Sequence, residues 1–175
     1  MAKVLERSLY EEDYYDWTKR QAAELRRLAA ERVNTTVDLA NLAEEVESLG
    51  HSDLNTVRSQ LRRIIEHLLK LEFSPSAEPR AEWRHSIAQA RDEVEDHLTA
   101  SMRPEVEAEL PKLFGRGRRA AALGLRQHGE VEAAKALPAT CPYAFDRLVM
   151  QDWYPQNRHG LGRRRGLTLD VTAGG

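Results

Sequence analysis

Apolar residues in this chain recur at intervals of three and four positions, the period of a helix face. Nowhere do they alternate with polar residues through six or more positions, as a half-buried strand requires. The first stripe, Tyr10, Tyr14, Trp17, Leu25 and Leu28, predicts a helix that starts at Ser8 and fades near Asn34–Thr36, with Gln21 interrupting its face. Ser8 and Glu11 have the spacing of a capping box, in which a hydroxyl and a carboxylate each satisfy a free amide of the first turn. Leu39, Leu42, Val46 and Leu49 predict a second helix, capped by Thr35 or Thr36 and stopped by Gly50 in a left-handed conformation. The third stripe is the cleanest: Leu54, Val57, Leu61, Ile64, Leu68 and Leu71, widened by Ile65 and Leu69, with Ser52 or Asp53 as its cap. Only Gly50–Ser52 separates the second and third helices, so they are expected to fold back on each other as an antiparallel hairpin.

Pro75 and Pro79 end the third helix after Phe73. A fourth helix is expected over 81–100, with Trp83, Ile87, Ala90, Val94 and Leu98 inward. Pro104 and Pro111 suit the first turns of two further helices. Val106 and Leu110 belong to one and Leu113, Phe114, Ala121, Ala122 and Leu125 to the other, which Gly115, Gly117 and Gly124 weaken. A short helix fits 130–137, and a last one Tyr143–Met150, capped at Thr140–Pro142, with Phe145, Leu148 and Val149 inward. The predicted fold class is all-α: a helical bundle of about four main helices with shorter C-terminal helices. It forms a single helical domain over residues 1–155, followed by a flexible Gly/Arg-rich tail over 156–175.

Composition fits that picture. At 175 residues the chain suffices for one domain with a substantial core, and 41% apolar with 31% charged residues is the balance of a soluble helical protein. No run approaches the roughly 20 apolar residues of a membrane span, and the first residues lack the apolar segment of a signal peptide. A cytoplasmic location without a membrane partner is therefore expected. Cys141, the only cysteine, excludes an internal disulfide and a cysteine zinc cluster. A net charge of −2 gives no general attraction to nucleic acid.

Five segments, in order, resemble a known family: Tyr10–Trp17, Asp38–Gly50, His67–Lys70, Glu82–Ile87, and Cys141–Tyr143 followed by Asp152–Pro155. The central one, DLANLAEEVESLG, looks like the hallmark of the bacterial domain-of-unknown-function family numbered 29. The resemblance spans about residues 9–155; Leu71 stands where an aromatic is expected, and 112–138 match loosely. It implies an all-helical bacterial protein and no reaction, cofactor or ligand, so no catalytic residue is carried over.

Candidate chemistry is sparse. In the expected hairpin, Glu45 would meet His67, with Asn41 and Arg63 nearby. A carboxylate beside an imidazole raises its pKa and fixes its tautomer, as acid–base work requires. A pair that merely fixes helix register is the simpler reading. Glu82 and His85 have the i, i+3 spacing of dimetal bundles, but such sites need a second pair and further carboxylates, and Glu93 with His97 lies on the same predicted helix. Ordinary surface pairing is the simpler account, and no cofactor is predicted. Cys141 ahead of Pro142 would have its thiol pKa lowered by a helix N-terminus, whereas a small apolar plug needs no chemistry. Arg116, Arg118, Arg119 and Arg158, Arg163–Arg165 form basic clusters that leave nucleic-acid association as a lesser alternative. Tyr14, Tyr15 and Trp17 lie close together, so part of that aromatic set is expected to face outward as a surface for another protein or for self-association. A non-enzymatic interaction or regulatory module is the reading the sequence favours, ahead of an enzyme or metal protein.

Overall fold

In the computed structural model, which describes residues 8–162, one helix of 35 residues organises everything else. The elements are α1 (Leu9–Glu12), α2 (Tyr14–Ala30), α3 (Leu39–Phe73), α4 (Arg80–His97), α5 (Arg103–Ala108), α6 (Leu110–Gln127), α7 (Val131–Lys135) and α8 (Phe145–Val149). The described residues contain no strand, and no helix among them is long and apolar enough to cross a membrane. The all-α bundle is as the periodicity predicts.

The expected hairpin is not. The second and third predicted helices are one, α3, about 52 Å long at 1.5 Å per residue. Gly50 does not stop it, and Ser52 and Asp53 lie inside it. The glycine serves a helix crossing instead. A Cβ built at Gly50 would lie 2.2 Å from Thr18 Oγ1 and 3.2 Å from the Tyr15 ring. Glycine in a helix interior costs roughly 0.5–1 kcal/mol relative to alanine, and here the close packing of α2 on α3 offsets it. Thr18 is fully buried, and its hydroxyl donates to Tyr15 O at 2.8 Å rather than remaining unpaired. Asp38, not Thr35 or Thr36, caps α3, accepting from Asn41 N–H at 3.2 Å. The first predicted helix is likewise divided at Asp13. That residue caps α2 through Asp16 N–H and also accepts from Ser101 N–H and Oγ at 2.8 and 2.7 Å, tying the start of α2 to the turn before α5.

α2 runs antiparallel to α3 along its first half, with Thr18 against Gly50 and Arg26 on Glu47 at 2.5 Å. The second half is enclosed. α4 runs back along it, from Arg80, which donates to Leu71 O at 2.9 Å, to His97, which lies 3.4 Å from Asp53. α6 lies parallel to it, and Gly117 permits the approach: a Cβ there would sit 2.8 Å from Ile65 Cγ2 and 3.0 Å from Arg62 O. Two of the glycines that weaken α6 on propensity, Gly117 and Gly124, thus lie on its contact face with α3. Arg58 joins α3 to α5 and its neighbour through Glu105 (3.0 Å) and Glu109 (2.7 Å), and Tyr15 donates to Glu105 at 2.9 Å. One core runs from Tyr15 through Leu54–Phe73 of α3 to Ile87, Leu113, Leu125 and Leu148.

The boundary at residue 156 needs correction. Asn157 is buried, and its amide donates to Leu71 O and Ser74 O, both at 2.9 Å. Arg158 N–H donates to Glu72 O at 2.9 Å, and His159 Nε2 lies 3.1 Å from Phe73 O. The last carbonyls of α3 have no partner within the helix, so this distant segment docks to satisfy them. Residues 163–175, the rest of the expected tail, lie outside the described residues.

Candidate functional site

The predicted Glu45–His67 pair does not form. Both residues lie on α3, about 33 Å apart along its axis at 1.5 Å per residue. Glu45 and Arg63 are exposed. His67 is partly buried, and its Nδ1 is sealed from solvent with no hydrogen-bond partner among the described residues. Burial, against a weaker opposing effect of Glu66, pulls its pKa down to about 4, so the ring is neutral at pH 7. A neutral imidazole without a carboxylate is a packing residue here.

The metal candidates also separate. Glu82 and His85 are both exposed on the outer face of α4. His97 lies 3.4 Å from Asp53 and 3.8 Å from Glu93, which links α4 to α3. Among the described residues no three His, Cys, Asp or Glu side chains gather as ligands. Cys141 does not start a helix, since α8 begins at Phe145. Its thiol donates to Tyr143 O at 3.3 Å, and burial pushes its pKa up rather than down. Of the Arg clusters, Arg118 donates to Leu137 O at 3.3 Å, and Arg158 pairs with Glu72 at 3.1 Å and lies over the Phe73 ring. Arg163–Arg165 lie outside the described residues.

What the fold does assemble is a cleft at the C-terminal end of α3, between the start of α4 and the end of α6, of about 220 Å³. Lys70, Ser76, Trp83, Leu125, His128 and Glu130 line it. Two of the motif segments, His67–Lys70 and Glu82–Ile87, contribute to it. Lys70 is largely buried and held by Glu66 at 2.6 Å, one helical turn away. Gly124 gives it room, because a Cβ there would lie 2.8 Å from its Nζ. Glu130 follows the turn that closes α6. Its N–H donates to Leu125 O at 2.8 Å and its carbonyl accepts from Ala134 at 3.0 Å, which fixes its backbone. Oε1 accepts from the hydroxyls of Ser74 (3.0 Å) and Ser76; Oε2 is sealed from solvent with no partner among the described residues.

A second surface lies at the other end of α3. Around Leu39–Ser52 the helix packs, among the described residues, on α2, and only Ala43 and Gly50 of that stretch are buried. Leu42 and Leu49 keep 40% and 45% of their surface in solvent. Val33 and Val37, in the link from α2, are also exposed. At the base of this arm Tyr10, Tyr14 and Trp17 form an aromatic cluster, with Tyr10 edge-on to both partners and Tyr14 stacked on Trp17 at 5.6 Å. Tyr15, by contrast, points into the core.

Two positioning residues escaped the sequence reading. Arg91 is 1% exposed, and its guanidinium donates to the carbonyls of Leu148 (2.8 Å), Trp153 (2.9 Å), Arg147 (3.2 Å) and Gln151 (2.5 Å). It caps α8 from a distance and seats the Trp153–Tyr154 segment. The available signal was its place on the inward stripe, four after Ile87 and three before Val94. Asn157 performs the same service for α3, and nothing local in a Gly/Arg-rich segment marks it.

The family model described as a domain of unknown function, DUF29, matches residues 9–154. A crystal structure of an α-helical protein of unknown function from Rhodospirillum rubrum is similar, with 27% identity and a TM-score of 0.75 over 84% of this chain and 92% of that one. No curated protein matches the sequence.

Proposed function

This chain belongs to that DUF29 family, and from that premise we propose that it is a non-enzymatic interaction module of the bacterial cytoplasm that pairs with a second copy of itself through the α2–α3 arm. The carrying observation is the apolar stripe of the arm, Leu42 and Leu49 with half-buried Val46 between them, which no described residue covers. Helical spacing without burial is the condition of half an interface.

Charge selects the partner. Over 14–32, α2 and its turn carry Lys19, Arg20, Arg26, Arg27 and Arg32 against Asp16, Glu24 and Glu31. Over 39–53, α3 carries Glu44, Glu45, Glu47 and Asp53 and no Lys or Arg. A twofold pairing sets the basic helix of one copy against the acidic helix of the other, which makes the surface self-complementary. Two arms joined this way form a four-helix bundle around the leucines.

Sedimentation velocity tests the reading. Wild type is expected to be a dimer in the micromolar range, weakened by high salt. Leu42→Glu with Leu49→Glu is expected to be a monomer with unchanged far-UV dichroism. A wild type that stays monomeric at 100-fold higher concentration, or a dimer indifferent to the double substitution, overturns it.

A further inference from the structure

We propose that the groove between the last turn of α3 and α7 is the docking site of this chain's own C-terminal segment, entered by Leu167, Leu169 and Val171. Phe73, Pro75, Val131, Ala133 and Ala136 wall the groove, which encloses about 530 Å³. Among the described residues nothing covers it: Val131 keeps 44% of its surface in solvent, and Pro75 and Ala136 are exposed. A continuous apolar surface of this kind is the mark of a contact.

Three observations select the occupant. The chain already docks at the edge of the groove. Arg158 and His159 line it, and both are tied to the last turn of α3, Arg158 N–H to Glu72 O at 2.9 Å and His159 Nε2 to Phe73 O at 3.1 Å. Seating the following residues would extend a contact that exists. Length permits it. Gly162, where a Cβ would lie 3.9 Å from Arg84, is three residues past His159 and so at most about 11 Å from it. The next four residues, 163–166, span up to about 14 Å when extended, which is enough to return. Such a short tether presents the segment at an effective concentration on the order of millimolar, ahead of the same segment from a second copy.

Pattern and charge also match. Leu167, Leu169 and Val171 alternate with Thr168 and Asp170, so an extended backbone puts the three apolar side chains on one face. Arg163, Arg164 and Arg165 precede them. The lining carries two carboxylates, Glu130 and Glu132, against one guanidinium, Arg158, which Glu72 already engages at 3.1 Å. Lys135 reaches Glu132 at 2.7 Å, but that pair is exposed and screened by water. An acidic rim thus faces a basic approach and an apolar wall an apolar stripe.

Nuclear Overhauser spectra of the methyl-labelled full chain test the assignment. Cross-peaks are expected from the methyls of Val131, Ala133 or Ala136 to those of Leu167 or Leu169. In a mixture of labelled and unlabelled copies, isotope filtering should place those cross-peaks within one chain. Val131→Asp puts a charge in the groove at an exposed position that suits the first turn of α7. Loss of the Ala133 and Ala136 cross-peaks is expected there, with the Leu167 and Leu169 methyl shifts moving to those of the urea-denatured chain. Absence of the cross-peaks in wild type overturns the proposal. Cross-peaks only between copies overturn it in favour of a second copy as the occupant. Leucine shifts indifferent to Val131→Asp place the segment elsewhere and overturn it too. The wild-type spectra decide the matter even if that substitution unfolds the protein. Nothing in them depends on the arm, since a monomer carries both groove and segment.

Discussion

The two halves of α3 share an apolar period and differ in everything that surrounds them. From Leu54 to Phe73 the helix is walled by α4, α6 and α8, and nine of its side chains are buried, Leu54, Val57, Leu61, Ile64, Ile65, Leu68, Leu69, Leu71 and Phe73. From Leu39 to Ser52 it packs on α2 among the described residues, and two small residues, Ala43 and Gly50, are the buried ones. Spacing of three and four builds a helix with an apolar stripe, but burial depends on how wide the stripe is and how many neighbours reach it. Ile65 and Leu69 extend the stripe of the second half around the helix, so several partners are required. Leu42, Val46 and Leu49 make a narrow stripe, and α2 packs beside it on Ala43 and Gly50 and leaves Leu42 and Leu49 in solvent. The halves also differ in what they do for the molecule: one is the core, and the other is a lever that presents a surface.

Matched charge insertions should separate them most sharply. Leu61→Asp or Leu68→Asp strands a carboxylate in a fully buried site, and loss of the cooperative thermal transition is expected, a cost above about 4 kcal/mol. Leu42→Asp, on the same helix, should change the urea stability of the monomer by less than about 0.5 kcal/mol. A Leu42→Asp variant as damaged as Leu61→Asp would erase the distinction.

Next in size is Arg91→Ala. Four carbonyls lose their donor, and an expected loss of about 2–4 kcal/mol in urea unfolding follows. Gly50→Ala probes the crossing where the halves join. Its methyl overlaps Thr18 Oγ1, and about 1–3 kcal/mol of destabilisation is expected, recovered in large part when Thr18→Ala is added. An additive double mutant would show that α2 does not cross there.

The smallest effect is a pH dependence. His67 has a folded pKa lowered from 6.5 to about 4 by burial, so below pH 6.5 the unfolded chain takes up a proton that the folded one refuses. Its contribution to stability is complete above that value and falls away as the pH drops towards 4. Urea midpoints at pH 7.5 and 5 should therefore differ less in His67→Gln than in wild type. An identical pH dependence in both would show that burial does not hold the His67 ring neutral.

Local rules read most of the helices correctly and failed at particular residues for particular reasons. The stripe at 54–71, the prolines at 104 and 111, the short helix near 131–135 and the Ser8–Glu11 box follow from period and cap chemistry, since each depends on residues a turn apart; Glu11 does accept from Ser8 N–H. Gly50 reads as a stop in its own neighbourhood. Only Thr18, on another helix, explains why a side chain is excluded there while the helix continues. That one misreading created the expected hairpin and with it the Glu45–His67 pair. The cleft was invisible for a related reason, because Lys70, Trp83 and Glu130 come from three separate elements and none is distinctive alone.

Helix content, the stripe of the long helix and the absence of a cysteine framework were settled by residue order, because hydrogen bonds four residues apart and side chains three and four apart are local interactions. Whether a glycine ends a helix or admits a neighbour, which stripe is covered, and which remote amide or guanidinium caps an open helix end were settled by the packed chain. Those choices are made between segments many residues apart. Their free energy exists only once excluded volume and unpaired carbonyls bring the segments into contact.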